Sequence, residues 1–95
     1  MDCKNLRFSE HAYERMLERR IDSEDVHTAV EVGEAIENYP TDRPYPSRLL
    51  LAYVGGVPLH VVVSKDESTG TCFIITAYVP EPDLWDKDFR KRRKL

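Results

Sequence analysis

The sequence predicts an α+β fold, in which two N-terminal helices pack on one face of a three- to four-stranded antiparallel meander sheet and a short C-terminal helix closes the chain. Two observations support this class. The first third has apolar residues at helical spacing, and the rest alternates short apolar runs with turn residues. The 95 residues are expected to form one domain, 1–95, with a loose N-terminus at 1–7 and a basic tail at 90–95.

Two helices are expected before the strands begin. Ser9 can cap a helix from Glu10 to about Arg19, because its hydroxyl can accept a hydrogen bond from the first turn. A second helix is expected over 23–32, and Gly33 is suited to end it. Each helix carries one apolar stripe, which is typical of a helix that covers a sheet.

The strands are expected after this glycine, separated by recognisable turns. A first short strand precedes a loop with three prolines, and a two-glycine hairpin and the turn DESTG separate the later strands. A short helix is expected after the last strand, at DLWDKDFRK. The expected strands are EAIENY, RLLLAYV, VPLHVVVSK and TCFIITAYV.

The turns also predict which residues face each other. A two-residue turn at Gly55 and Gly56 places Leu51 opposite His60, and a five-residue loop at DESTG places His60 opposite Thr76. A slip of one residue at the second turn would move His60 away from Thr76. One end of the polar face would then carry His60, Thr76, Tyr78 and Tyr53.

Composition limits the classes of function. The net charge of −3 argues against strong nonspecific binding to nucleic acid, although KDFRKRRKL places six basic residues at the end of the chain. Cys3 and Cys72 have no CxxC partner and are expected to be reduced thiols of a cytoplasmic protein. The histidines and cysteines lack zinc-ligand spacing, and no signal segment or membrane span is indicated.

The first helix carries a row of polar residues that has two interpretations. His11, Arg15 and Arg19 lie at spacings of four, so they share one side of the helix. The row could hold a phosphate through the two guanidinium groups, with His11 transferring a proton. It could also be a solvated flank, because Glu14 and Glu18 can pair with the arginines locally.

The polar patch on the sheet also has two interpretations. Histidine is the side chain best suited to proton transfer near neutral pH, and hydroxyl groups can position a phosphate. The same residue types are ordinary on a half-exposed sheet face. The residues alone leave both interpretations open.

Four segments together resemble a known family. They are SEHAYERMLERRID, GEAIENYPTDRPYPSRLLL, PLHVVV and FIITAYVPEPDLW. Over Phe8 to about Phe89 the chain resembles a bacterial family of small proteins, known as domain of unknown function family 4258. One departure is Arg20, where that family usually has glycine.

The family is similar to a superfamily that holds barnase-like, EndoU-like and RelE-like ribonucleases. The resemblance implies a metal-independent, cytoplasmic endoribonuclease toxin that cleaves mRNA, with no cofactor and no membrane association. Its partners would be RNA and a cognate antitoxin with a zinc-finger-like domain. The alternative is a non-catalytic protein-binding module of the same fold, and the oligomeric state stays open.

The resemblance also implies roles for individual residues. His11 and His60 would be the acid and the base, in either order. Arg15 and Arg48 would stabilise the phosphate, and Thr76 and Tyr78 would position it. Two further residues, Arg19 and Tyr53, would bind RNA, the second by stacking on a base.

Overall fold

The sheet has five strands and is mixed, as described by a computed structural model that covers residues 1–94. Its strand order is β1-β5-β4-β3-β2, with β1 parallel to β5 and the other pairs antiparallel. The α+β class is confirmed, but the antiparallel meander of three or four strands is wrong. The elements are β1 (Asn5–Phe8), α1 (Glu10–Glu18), α2 (Ser23–Val32), β2 (Glu34–Tyr39), β3 (Ser47–Val54), β4 (Val57–Asp66) and β5 (Thr71–Tyr78).

The first strand corrects the expectation of a loose N-terminus at 1–7. Residues 5–8 pair with Thr71–Ile74 of β5, and the backbone N–H of Lys4 donates to the carbonyl of Gly70 at 2.8 Å. Four residues are too few to show a clear alternation in the sequence, and their partner lies more than sixty residues away. Local patterns therefore could not reveal β1.

The helices follow the sequence closely. The backbone N–H of Ala12 donates to the Ser9 hydroxyl at 3.0 Å, which confirms Ser9 as the cap of α1. The second helix has the predicted bounds. Gly33 has an ordinary φ of −69°, and glycine suits that position because a Cβ would lie 2.3 Å from the carbonyl oxygen of Ala29.

The first helix ends in a Schellman motif that centres on a residue other than glycine. The N–H of Ile21 donates to the carbonyl of Met16 at 2.9 Å, and the N–H of Arg20 donates to that of Leu17 at 3.2 Å. Arg20 adopts the left-handed conformation this motif requires, with φ of 56°. That conformation costs a residue with a Cβ about 1–2 kcal/mol.

Strand register is partly as predicted. Leu51 lies opposite His60, as the two-glycine turn indicates. Across the next pair of strands, however, His60 lies opposite Tyr78 rather than Thr76. Asp66 pairs with Thr71, so the second turn is one residue shorter than predicted.

A β-bulge in β5 explains which of its side chains lie on each face of the sheet. Val62 pairs with Thr76 and Val63 with Ile74, which leaves Ile75 as the extra residue. Cys72 and Ile74 are consequently in the core with the helices and Ala77, whereas a strict alternation along β5 would place Phe73 and Ile75 on that side. We call the side of the sheet away from the helices the outer face.

The two cysteines form a disulfide, which corrects the expectation of reduced thiols. Cys3 and Cys72 are bonded, with 69 residues of sequence separation. The bond links the segment before β1 to the start of β5 and so reinforces the parallel pairing of β1 with β5. Cys72 is completely buried in the core.

The C-terminal segment lies on the outer face and forms turns. Within residues 1–94 no helix follows β5, so the predicted short C-terminal helix is wrong. Trp85 packs on His60, and Arg93 donates from Nε to the carbonyls of Pro82 and Trp85 at 2.9 and 2.8 Å. Contacts of Arg90, Arg92 and Arg93 therefore hold the basic tail to the domain over 90–93, and Leu95 lies outside the described residues. Covering by this segment explains why Leu49 and Leu51 are buried on the outer face.

Candidate functional site

His60 is the central buried polar residue of the outer face. Its side chain is completely inaccessible, and its ring stands edge-on between the rings of Tyr78 and Trp85, with centroids at 5.2 and 4.4 Å. Its Nε2 lies 2.8 Å from the carbonyl oxygen of Phe89, and its Nδ1 lies 3.2 Å from the Tyr78 hydroxyl. Both ring nitrogens are therefore satisfied within the protein.

These contacts decide the tautomer of His60. A carbonyl oxygen can only accept, so Nε2 carries the proton and Nδ1 accepts from the Tyr78 hydroxyl. Burial lowers the pKa of His60, and the hydrogen bond to Phe89 offsets this only in part. At neutral pH the imidazole is thus a neutral, fixed group that orients Tyr78.

Arg19 is held against the end of β5 by the termination of α1. As the C-cap residue it lies next to the last strand, and its Nη1 donates to Thr76 Oγ1 at 3.1 Å and to the carbonyl of Ala77 at 2.9 Å. The carbonyl of Ala77 belongs to the part of β5 that extends beyond β1. Arg19 therefore closes an otherwise open sheet edge and is fixed beside Tyr78.

A cleft of about 450 Å³ opens beside these residues. We call it the Arg19 cleft. It brings two guanidinium groups, a phenol, a carboxylate and an indole to one place. The residues that define it are Arg19, Tyr78, Glu81, Trp85 and Arg92.

The surroundings of Tyr78 have opposite effects on the pKa of its hydroxyl. Burial raises the pKa of the Tyr78 hydroxyl, and the nearby Tyr39 adds to the increase. The positive charges of Arg92 and Arg19 lower it in part. The hydroxyl is therefore protonated at neutral pH and lies within the field of two guanidinium groups. Its single proton is engaged with His60 Nδ1, so it becomes available to a bound anion when the O–H rotates away from the imidazole.

Only part of the predicted site lies in this cleft. Arg19, Thr76 and Tyr78 are together, with His60 directly behind Tyr78. His11 instead lines a separate cavity between α1 and the proline-rich loop, so the structure does not bring the two histidines to one place.

Three other predicted residues lie away from the cleft. Arg15 is exposed and pairs with Glu18 at 3.4 Å on the surface of α1. Arg48 pairs with Val63 on the helix side of the sheet and lines a cavity there. Tyr53 is 55% exposed and lies beside Asp86 and Lys87.

Sequence reasoning missed three residues of the cleft. Trp85 and Arg92 belong to the segments expected to form a short helix and a basic tail, and Glu81 lies just before them, between two prolines. Arg92 lies over the indole of Trp85, with 5.6 Å from its guanidinium carbon to the ring centroid. The available signal was the only tryptophan of the chain, placed just after Pro80 and Pro82, because such a large apolar side chain needs a surface to cover it.

Residues 1–94 contain neither a cluster of metal-ligating side chains nor a helix that could span a membrane. No three histidine, cysteine, aspartate or glutamate side chains in this part of the chain lie close enough to hold a metal ion. In the same residues, neither helix is long and apolar enough to cross a membrane.

Comparisons with known proteins give one match. No curated protein and no solved structure matches the chain. The model of a family described as "Domain of unknown function (DUF4258)" matches residues 8–79, from the last residue of β1 to just after β5. The match covers most of the 95 residues, and the chain therefore belongs to the DUF4258 family.

Proposed function

We propose that the protein is a metal-independent endoribonuclease toxin that binds and cleaves mRNA at the Arg19 cleft. One observation carries the proposal: Arg19 and Arg92 line the same cleft as Tyr78 and Glu81. Guanidinium groups bind phosphates through paired hydrogen bonds, and a phenol with a carboxylate offers an acid and a base. The motif resemblance to the barnase-like, EndoU-like and RelE-like superfamily supports the same reaction.

The proposed chemistry transfers two protons around one phosphate. Glu81 removes the proton of the ribose 2′-hydroxyl, whose oxygen attacks the adjacent phosphorus. The Tyr78 O–H rotates from His60 Nδ1 to the departing 5′-oxygen and donates its proton there, and a 2′,3′-cyclic phosphate and a 5′-hydroxyl result. The proton taken up by Glu81 then returns to the Tyr78 phenolate through solvent. Arg19 and Arg92 stabilise the charge that develops on the phosphorane oxygens.

In this mechanism His60 is a positioning residue. Before the substrate binds, its Nδ1 accepts from the Tyr78 hydroxyl at 3.2 Å and so fixes where the phenol lies. It does not touch the substrate, because its side chain is fully buried behind Tyr78 and Trp85. Thr76 similarly positions Arg19 through its hydroxyl.

A specific observation favours a second candidate, a non-catalytic protein-binding module. Both nitrogens of His60 are engaged within the fold, which is the usual state of a structural histidine. The net charge of −3 also disfavours RNA as the main ligand. The partner in this case would be a protein, and the cognate antitoxin with a zinc-finger-like domain is the proposed one.

The proposed site of action is the cytoplasm, because mRNA is the proposed substrate. The bond between Cys3 and Cys72 is of a kind that persists mainly in oxidising compartments. Activity should therefore be measured with and without a reductant.

The test is cleavage of a labelled RNA by purified protein in the presence of a chelator. We expect products with 2′,3′-cyclic phosphate and 5′-hydroxyl ends, and a loss of roughly 100-fold or more in rate for Glu81→Gln and Tyr78→Phe. Glu31→Gln is the matched control for Glu81→Gln and should cleave normally, because Glu31 is exposed on α2 and does not line the Arg19 cleft.

Two outcomes would overturn the proposal. Intact RNA with all proteins, under reducing and oxidising conditions, would leave the protein-binding module as the better account. Cleavage that survives in both Glu81→Gln and Tyr78→Phe would place the reaction elsewhere. Induction in a bacterial host should stop growth with the wild type and spare it with Tyr78→Phe.

A further inference from the structure

We infer that the cavity between α1 and the proline-rich loop is a nucleobase site for single-stranded RNA. This inference rests on the proposed function and adds the form of the substrate to it. The cavity has about 570 Å³ and lies where the start of α1 and loop residues 42–45 meet β5. We call it the loop cleft.

The walls of the loop cleft are mainly apolar and aromatic. The rings of Tyr45 and Phe73 are stacked, with centroids 5.6 Å apart and an angle of 6° between their planes. Pro44 and Ile75 complete these walls. Ile75 is the bulged residue of β5 and is 42% exposed, so the bulge turns an aliphatic side chain towards solvent here.

Polar contacts of the proline-rich loop hold the stacked pair of Tyr45 and Phe73 in place. The pKa of the Tyr45 hydroxyl is raised by the adjacent Asp66 carboxylate, so the phenol stays protonated and can donate to Asp66. Asp42 accepts a hydrogen bond from the hydroxyl of Ser47, which begins β3 and is buried. The loop therefore presents a fixed aromatic surface with a polar rim, as a site for a flat ligand needs.

The rim supplies the polar groups that a base edge requires. His11 offers ring nitrogens, Asp42 a carboxylate and Arg43 a guanidinium group. Donors and acceptors around an apolar wall match a nucleobase, which stacks by its face and forms hydrogen bonds by its edge. The 5.6 Å separation leaves no space between the two rings, so a base would extend the stack on one side.

The loop cleft and the Arg19 cleft are connected along one edge of the molecule. His11 lines the first and Arg19 the second, and the step of eight residues from His11 to this C-cap corresponds to a helical rise of about 12 Å. At a rise of roughly 3.4 Å per stacked nucleotide, this is three to four nucleotides. On β5, Ile75 lines the loop cleft, and the next residue, Thr76, contacts Arg19. A single strand can therefore place a base in one cleft and a phosphate in the other.

A duplex could not use both sites in this way. Its bases are stacked and paired inside, and only an unpaired base can turn onto an aromatic side chain. The arrangement therefore selects single-stranded RNA. Stacking on the loop cleft is expected to determine where along such a strand the phosphate enters the Arg19 cleft.

The test compares two fluorescently labelled oligonucleotides of equal length, each 2′-O-methylated so that cleavage cannot occur. One carries its bases and the other is abasic, so both present the same phosphates. We expect Phe73→Leu to weaken binding of the first at least about fivefold, the lower end of the roughly 5- to 150-fold range for one lost base stack. Binding of the abasic strand should not change. Tyr53→Leu is the matched control and should alter neither, since Tyr53 lies in another cavity.

The outcomes separate this inference from the proposed function. If Arg19→Gln weakens both oligonucleotides while Phe73→Leu weakens neither, the RNA site stands and the base site falls. If the wild type binds neither oligonucleotide, both proposals fall. Equal losses for both strands in a folded Phe73→Leu protein would also overturn the base site. Backbone amide shifts of the wild type should differ between the two strands at residues 42, 43, 45 and 73–75, and no difference there would contradict the assignment.

Discussion

The indole ring of Trp85 stands nearly perpendicular to the imidazole ring of His60, at 86° and 4.4 Å between centroids. This contact joins the C-terminal segment to the outer face of the sheet. The carbonyl of Phe89 reinforces it by accepting from His60 Nε2. Phe89 has a φ of 60°, a conformation that costs a residue with a side chain about 1–2 kcal/mol. The fold thus depends on a neutral His60 in contact with a strained segment.

Acid should therefore weaken the fold through His60. Burial lowers the pKa of this residue in the folded state, so the unfolded chain binds a proton at a higher pH than the folded protein does. The free energy of unfolding is expected to be constant above about pH 6.5 for this group. It should decrease as pH falls from there towards the folded pKa, by at most about 1.4 kcal/mol per pH unit. Urea unfolding at pH 5.0–7.5, followed by the fluorescence of Trp85, measures this.

Two variants identify the group responsible. In His60→Gln the slope should be largely lost, because glutamine does not titrate, although the protein will be less stable at every pH. His11→Gln should keep the slope of the wild type, since His11 is exposed. An unchanged slope in His60→Gln would contradict the assignment.

The turn after α1 offers a stabilising substitution. Arg20 is in the left-handed conformation, with φ of 56°, and glycine adopts that conformation without the steric cost of a Cβ. We expect Arg20→Gly to raise the free energy of unfolding by about 0.5–1 kcal/mol after the greater freedom of glycine in the unfolded chain is subtracted. Thermal or urea unfolding at pH 7.5 is sufficient.

Arg20→Ala separates the backbone effect from loss of the guanidinium group. Alanine keeps the Cβ and hence the steric cost, so it should give little or no stabilisation. Equal stabilisation by both substitutions would show that the arginine side chain, rather than φ, was unfavourable.

Local elements were well predicted because their signals are local. Ser9, the two-glycine turn and the apolar spacing of α2 each act within a few residues, and all three appear in the structure as expected. Errors arose where one element depends on a distant one. Strand β1 forms only because β5 is present, and the bulge at Ile75 moves Cys72 and Ile74 into the core. A prediction that assumes strict alternation of side chains along a strand cannot include such a bulge.

About half of the residues that line the candidate site, the Arg19 cleft, could be predicted for the same reason. Arg19, Thr76 and Tyr78 belong to elements that could be placed, and they do lie together. Glu81 and Arg92 belong to a segment whose position is decided by the contact of Trp85 with His60. Only the three-dimensional packing of the outer face reveals that contact, so no spacing along the chain pointed to this half of the cleft.

Reduction of the disulfide should destabilise the protein. The bond between Cys3 and Cys72 closes a loop of about 70 residues in the unfolded chain, for which the chain-entropy model gives roughly 4 kcal/mol of stabilisation. Urea unfolding with and without dithiothreitol should therefore show a large decrease under reducing conditions. The double variant Cys3→Ala/Cys72→Ala should resemble the reduced protein and should not respond to dithiothreitol. A reductant effect in the double variant would show that the agent acts by another route.

Arg92 should contribute to the affinity for RNA and to the dependence of that affinity on salt concentration. A guanidinium group that contacts a phosphate releases counterions from single-stranded RNA, which contributes about 0.7 to the slope of log affinity against log salt concentration. Arg92→Gln should weaken binding for strands of every sequence and reduce that slope by about 0.7. Arg48→Gln makes the same charge change in a cavity on the helix side of the sheet and should leave the slope unchanged. Fluorescence anisotropy titrations between 50 and about 200 mM salt are adequate. An effect of Arg48→Gln equal to that of Arg92→Gln would mean that net charge, and not the Arg19 cleft, attracts the RNA.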